Sequence, residues 1–312
     1  MPRLSSALGS VLSVFLILLL LLSAGCAGAP DARLRDTDHP LSGRLWDVAA
    51  RRFIDEAELI ERATHAQVLL LGEIHDNSEH HRLQGRVLRA RLAAGARPAL
   101  LMEQFDTDQQ ALIDQARQAD LSLAPLMRGW DWPQYQPLVA MANAARIPLR
   151  AANLSRSAIR PIVRDGYAAL APGEAQRLAL ESAWDAERQA YMARLIEASH
   201  CGKISATLRD GLVRAQRLRD ATLADTALGQ LEHGVVFILG RGHARRDVAV
   251  PRYLQTRRPG TRVLSLAFVE VSAQQIDPAR YEQEQVGDLA PFDLLWFTPR
   301  AERADPCLNF GK

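Results

Sequence analysis

Five short apolar runs punctuate residues 42–312: Val68–Leu71, Ala99–Met102, Ile147–Leu149, Val235–Leu239 and Val263–Leu266. They are continuous rather than alternating, as strands are when both faces of their sheet are covered. Between them the pattern turns helical. Apolar residues recur at three and four through Arg82–Leu92, and Thr107 or Asp108 stands where a helix running through Leu112 would be capped. Strand and helix in alternation predict βαβ units, and so an α/β fold with a mostly parallel sheet and flanking helices. Pro148 falls inside the third run and removes a ladder donor, which moves that strand toward an edge. From about residue 161 to 232 no strand run occurs. Ala, Leu, Arg and Glu dominate, with breaks at Pro172-Gly173 and near Cys201-Gly202. This predicts a helical insertion or subdomain, either a cap over the sheet or a dimerisation surface.

The first 25 residues do not fit that body. Arg3 is their only charge, Val11 to Leu22 is almost unbroken apolar sequence, and Ser23-Ala24-Gly25 precedes Cys26. A basic start, an apolar centre and small residues before a cut describe a secretory signal peptide. An uncleaved anchor helix is the alternative. Leu22-Ser23-Ala24-Gly25-Cys26 resembles a bacterial lipobox, with its leucine one place earlier than usual. That resemblance implies cleavage before Cys26 and lipidation of its sulfur. Residue 27 is alanine rather than aspartate, so no inner-membrane retention signal is carried. The expectation is an outer-membrane lipoprotein facing the periplasm, with residues 26–44 as tether and 45–312 as the folded domain.

Composition narrows the class. Apolar residues make up 48% and charged residues 24%, which excludes a disordered or fibrous chain. A formal net charge of +2 gives no support to nucleic-acid binding. Of three cysteines, Cys26 is taken by the lipid; Cys201 and Cys307 would sit in a disulfide-permissive compartment, either bonded or as two free thiols. There is no CxxC pair for zinc and no CxxCH for covalent haem.

Polar residues gather after the strand runs. Gly72-Glu73-Ile74-His75-Asp76-Asn77 follows the first, Glu103-Gln104-Phe105-Asp106 the second, Asn153 and Arg156 the third, and Gly240-Arg241-Gly242-His243 the fourth. In an open parallel sheet the strand carboxyl ends share one edge, where ligands bind. Four loops thus deliver Glu73, His75, Glu103, Asn153 and His243 to one place. On extended backbone Glu73 and His75 share a face about 6.6 Å apart. That spacing suits two ligands of one metal, with Glu73, His75 and His243 as candidates, or an acid and a base flanking one bond. Blander roles exist: Glu73 and Asp106 as helix-capping acids, His75 as a satisfied loop residue, and His80 and His81 as solvated residues opening a helix. Leu212, Gln216, Arg219 and Leu223 form one helical stripe, which sets Arg219 into an apolar face where it needs an acidic partner such as Glu73 or Glu103.

These motifs resemble those of the ChaN-like haem-binding lipoproteins, a family related to the Tiki/TraB and erythromycin-esterase groups. The resemblance rests on Leu70–Asn77 with His81 and Gln84, Met102–Phe105, Ala151–Asn153, Gln216–Asp220 and Gly242–Pro251, and covers roughly residues 45–270. It implies haem or iron acquisition at the outer membrane and a homodimer holding two haems face to face. In that picture a tyrosine of one subunit binds each iron and a histidine of the other bonds the propionates. No motif selects the tyrosine in this chain; Tyr135, in an aromatic setting, and Tyr191 are the candidates. The competing expectation is a hydrolase in which Glu73, His75, Glu103, Arg219 and His243 form the site, with or without a divalent metal. There His243 is the general base, and Glu73 or His75 places metal or water.

Overall fold

A computed structural model describes residues 33–309. The expected signal peptide and the lipid-bearing Cys26 lie outside the described residues. The strands are β1 (Leu34–Arg35), β2 (Leu45–Asp47), β3 (Arg52–Ile54), β4 (Val68–Glu73), β5 (Ala99–Asp106), β6 (Leu149–Asn153), β7 (Val235–Gly240), β8 (Val263–Glu270), β9 (Leu294–Thr298) and β10 (Arg300–Ala301). Eight form the main sheet in the order β3-β2-β9-β8-β4-β7-β5-β6. From β9 to β6 every neighbour is parallel, and the β2–β3 hairpin adds an antiparallel edge. Four of the five apolar runs lie within strands of this sheet, and the third meets its strand only at Leu149, the first residue of β6. β6, which starts directly after Pro148, is its outermost strand. β9 is an apolar strand that the five runs leave out.

The helices are α1 (Glu56–His65), α2 (Ser78–Ala93), α3 (Gln110–Gln118), α4 (Trp132–Ala144), α5 (Arg156–Asp165), α6 (Glu174–Arg177), α7 (Ala186–Ser199), α8 (Ala206–Leu228) and α9 (Val250–Arg257). Among the described residues no helix is long and apolar enough to cross a membrane. Successive strand side chains point to opposite faces, so each run divides its residues between two helical layers. Val68, Leu70, Ala99, Leu101, Phe237 and Leu239 join the core under α5, α8 and α9. Leu69, Leu71, Leu100, Met102, Val236 and Ile238 join the core under α1, α2 and α4. Each such buried leucine stabilises the fold by about 1.5–3 kcal/mol.

The helical segment between β6 and β7 is α5 to α8. α8 packs on α5, α7 and α9 and against β5 and β6, which makes it part of the layer over one face of the sheet. Gly211 allows this: a Cβ there would lie 2.5 Å from the Val163 carbonyl oxygen of α5. The expected tether folds against the body in its second half. β1 pairs with β10 and Leu41 is buried in the core. Cys201, in the turn after α7, is disulfide-bonded to Cys307 in the C-terminal tail.

Candidate functional site

Alternation along the strands decides which polar residue meets which helix. Glu73 continues the Leu69–Leu71 face of β4 and points toward α2 and α4, as Gln104 does from β5. Glu103 continues the Ala99–Leu101 face and points toward α8. The carboxyl edge therefore holds two joined clusters rather than one open pocket.

In the first, Glu73 is fully buried and its carboxylate accepts from five donors. Oε1 accepts from the Tyr135 hydroxyl at 2.6 Å, Gln104 Nε2 at 3.0 Å and His75 Nδ1 at 2.9 Å. Oε2 accepts from Gln84 Nε2 at 2.6 Å and faces His81 Nδ1 at 3.2 Å. Burial alone would raise its pKa, but the His81 and His75 charges and hydrogen bonds hold it well below the usual carboxylate range. His81 places its other nitrogen on the His75 carbonyl at 3.1 Å. With acceptors on both sides the ring is a cation, and burial is outweighed by Glu73 so that its pKa rises.

In the second cluster His243 lies between Asp220 Oδ1, at 2.6 Å from Nδ1, and Glu103 Oε1, at 3.4 Å from Nε2. Glu103 also accepts from the Gly240 main-chain N–H at 2.6 Å. Burial opposes charge on the imidazole, but the two carboxylates win and push its pKa up to about 10. Glu103 is held down at about 2 despite its burial, chiefly by His243. Burial raises Asp220 to about 6, against the pull of His243.

Both expected acids, both expected histidines and Asn153 thus come to one edge, but several expected roles are corrected. Arg219 makes no ion pair among the described residues; its Nη1 donates to Asn153 Oδ1 at 2.9 Å, and burial lowers its pKa. Glu73, His75 and His243 do not converge on a metal, because His243 is spent on Asp220 and Glu103 while Glu73 is filled by its donors. No group of three or more His, Cys, Asp or Glu among the described residues is placed to hold a metal ion. His243 is a poor general base, since both nitrogens face carboxylates and keep their protons at neutral pH. His80 and His81 are buried, not solvated. His80 Nδ1 accepts from the Ile74 N–H at 2.9 Å and Nε2 donates to Thr298 Oγ1 at 2.8 Å, and burial lowers its pKa to about 3, so it is neutral.

Neither expected tyrosine presents an open iron ligand. Tyr135 is fully buried, its proton is held by Glu73, and burial beside two carboxylates drives its pKa far above that of a free phenol. Tyr191 packs in a small apolar cluster with Met192, Val213 and Val248, and the Arg245 guanidinium carbon lies 4.5 Å from its ring centroid. Gln84, Gln104 and Asp220, which stand in the quoted motifs without an assigned role, are members of the site, and so is Trp130. Gln84 had a usable signal, lying one helical turn beyond His81 on the α2 face turned to β4.

His75 is the member that reaches the surface. Its side chain is 44% exposed, its ring meets Trp130 edge-on at 4.8 Å, and it lies over Gly240. Arg241 follows, half-buried, with its main-chain N–H on the Glu73 carbonyl at 2.8 Å. Its guanidinium has no ion pair or hydrogen bond among the described residues.

Comparison with known proteins bears on this site. Residues 59–254 match the family model described as "Haem-binding uptake, Tiki superfamily, ChaN", a span that contains every residue of both clusters. The structure of ChaN of Campylobacter jejuni, described as binding haem cofacially, superposes with a TM-score of 0.65 at 20% identity, covering 81% of this chain and 95% of that one. A type III effector, HopBA1, gives 0.42 at 12% identity over 87% and 99% of the two chains. An erythromycin esterase in its open conformation gives 0.40 at 10% identity over 72% and 77%. No curated protein matches the chain.

Proposed function

Because the chain belongs to the haem-binding uptake family of the Tiki superfamily, ChaN, we propose that it binds haem at the carboxyl edge of its sheet and serves haem or iron acquisition. The observation that carries this is the family match across residues 59–254, which spans the whole site. In this reading the protein is held to the outer membrane by a lipid on Cys26, faces the periplasm, and pairs with a second copy when haem is bound. Several lipid chains on one residue hold a protein at a bilayer where a single chain does not.

The chemistry of the donor set fits the group. Haem presents a broad apolar plane, an iron that takes an axial donor, and two carboxylates. The surface of the site offers the Trp130 ring, the exposed imidazole of His75 and the unpaired guanidinium of Arg241. When bound, the group would supply a ferric iron able to take a donor from the protein. The protein's part is to hold the plane, to present a donor whose orientation is fixed from inside by Glu73, and to neutralise a carboxylate. Hydrolysis is the weaker reading, because the imidazole that would act as base is a cation locked between Glu103 and Asp220.

Titration of ferric hemin into the purified apo-protein tests the proposal. A saturable Soret change at micromolar hemin is expected; a spectrum equal to the sum of free hemin and protein would overturn it.

A further inference from the structure

A second concavity lies on the outer side of the Glu73 cluster, where α2 and α4 run side by side. Its volume is about 790 Å³, within the range of sites for small molecules. Leu34 of β1 and Pro133, Pro137 and Met141 of α4 give it apolar surface, and an arginine row on α2 borders it. Resting on the reading that a lipid on Cys26 tethers the chain, we propose that this groove is the membrane-facing surface of the protein and seats an anionic phospholipid headgroup of the bilayer.

Three observations carry this. The first is where the chain enters the fold. Leu34 lines the groove, so the tether meets the body at the groove wall. From Cys26 to Leu34 is eight residues, which span at most about 26–29 Å when fully extended. A lipid on Cys26 therefore keeps this side of the domain within that distance of the bilayer.

The second is charge. Arg82, Arg86 and Arg89 follow one another at four and three, so they stand on one side of α2, and all three are exposed. Glu79 accompanies Arg82 at 2.6 Å and Glu56 accompanies Arg86 at 2.7 Å. The Arg89 guanidinium has no ion pair or hydrogen bond among the described residues. Exposed pairs of this kind are weak, so a phosphate can take over the donors of either arginine. With the His81 cation beneath the row, positive charge in the lining exceeds that of its acids, Glu79 and Asp131.

The third is Gln134, on the α4 wall. Its Nε2 donates to Asp131 Oδ2 at 2.7 Å, but its Oε1 is buried with no hydrogen-bond partner among the described residues. A buried acceptor left unpaired is costly, and a headgroup hydroxyl supplies the missing donor. Phosphatidylglycerol combines the three features the groove asks for: an anionic phosphate, neighbouring hydroxyls and apolar carbon. Asp131 directly follows Trp130, so docking here also sets the mouth of the haem site beside the headgroups.

The test uses the chain from residue 27 onward, without its lipid, which contains the whole described fold. Its partition onto vesicles is measured by co-sedimentation, with equal parts phosphatidylglycerol and phosphatidylcholine compared against phosphatidylcholine alone. Binding is expected on the anionic vesicles only, and should fall steeply with added salt. Arg82→Gln/Arg86→Gln/Arg89→Gln should weaken it roughly 100-fold, about fivefold for each arginine at an anionic surface, with the melting temperature unchanged. The control is Arg160→Gln/Arg164→Gln/Arg258→Gln, an equal loss of exposed charge on α5 and after α9, over the other face of the sheet. It should leave binding within about twofold of wild type. An equal loss in the two triple variants overturns the assignment, as does equal binding to both kinds of vesicle. Wild type that binds neither also overturns it, and leaves the lipid on Cys26 standing. Equal palmitate labelling of wild type and Cys26→Ala instead removes the tether on which the proposal rests, so the two failures are told apart.

Discussion

The bond between Cys201 and Cys307 closes a loop with a sequence separation of 106 residues, so in the unfolded state it constrains the stretch that carries β7, β8 and β9. In the chain-entropy treatment a loop of that length is worth about 4.8 kcal/mol at 25 °C. For a domain of this size each kcal/mol moves the melting temperature by about 2–4 °C, so Cys201→Ser/Cys307→Ser should melt about 10–20 °C below wild type. The assay is thermal and urea unfolding of protein exported through the periplasm, with and without reductant. Reduced wild type should coincide with the double variant, and reductant should leave the variant unmoved. The urea slope should rise as well, since the released unfolded chain exposes more surface. Arg303→Ala is the control. It breaks the tail's contacts with Asp76 and Glu270, both at 2.7 Å, without changing loop closure, and should cost about 1 kcal/mol or less. If it costs as much as losing the disulfide, or if reduced wild type melts within about 2 °C of the oxidised form, loop closure is not the source of the stability.

Four further outcomes follow from the site and its address. Glu73→Gln sets an amide against five converging donors and should destabilise the protein by about 3–5 kcal/mol, measured by urea unfolding; a loss under about 1 kcal/mol would contradict a fully engaged carboxylate. Stability should fall on both sides of neutrality. Glu73 and Glu103 are lowered from 4.5, so their contribution is present above that pH and is lost toward 2; His243 is raised from 6.5, so its contribution is complete below that pH and is lost on approach to 10. Asp220 has the opposite sense to the glutamates, because it is raised from 3.8 to about 6 and withdraws stability across that interval. His243→Gln should flatten the alkaline limb of a pH series of melting curves, and an unchanged limb refutes the assignment. Gly240→Ala should keep the fold but displace the exposed His75 ring, seen as a changed hemin spectrum at unchanged melting temperature; an unaltered spectrum would show that the contact is not limiting. Metabolic palmitate labelling in a bacterial host should mark wild type and not Cys26→Ala, with equal labelling of the two ruling out the lipid anchor.

Much of the sheet was legible because strands covered on both faces spell continuous apolar runs: four such runs lie in β4, β5, β7 and β8, and a fifth ends where β6 begins. β9, Leu294–Thr298, carries the same signal but follows a loop without a preceding helix, so no βαβ alternation called attention to it. The short β1, β2 and β10 have no period to read, being set by the partners they pair with. At the site, convergence of the loops followed from topology, but the sorting of residues within it did not. Glu73 and Glu103 look equivalent after their strands, yet the first ends an odd-numbered row facing α2 and the second an odd-numbered row facing α8. His80 and His81 looked solvated because a helix start is ordinarily exposed. Here Asn77 caps α2 beneath the sheet edge, with its side chain held by Glu270 at 2.7 Å, and the first turn is drawn inward. Arg219 called for an acid by the rule for buried charge, and an amide oxygen proved sufficient for a group only partly withdrawn from water.

The five-fold engagement of Glu73 has a consequence for heredity. Tyr135, Gln84, Gln104, His75 and His81 come from α2, α4, β5 and the loop after β4, yet none can be exchanged alone without stranding an acceptor on the same carboxylate. Descendants of this chain should therefore alter these positions as a block or not at all. A transplant of the site into another α/β scaffold would likewise have to carry the whole block.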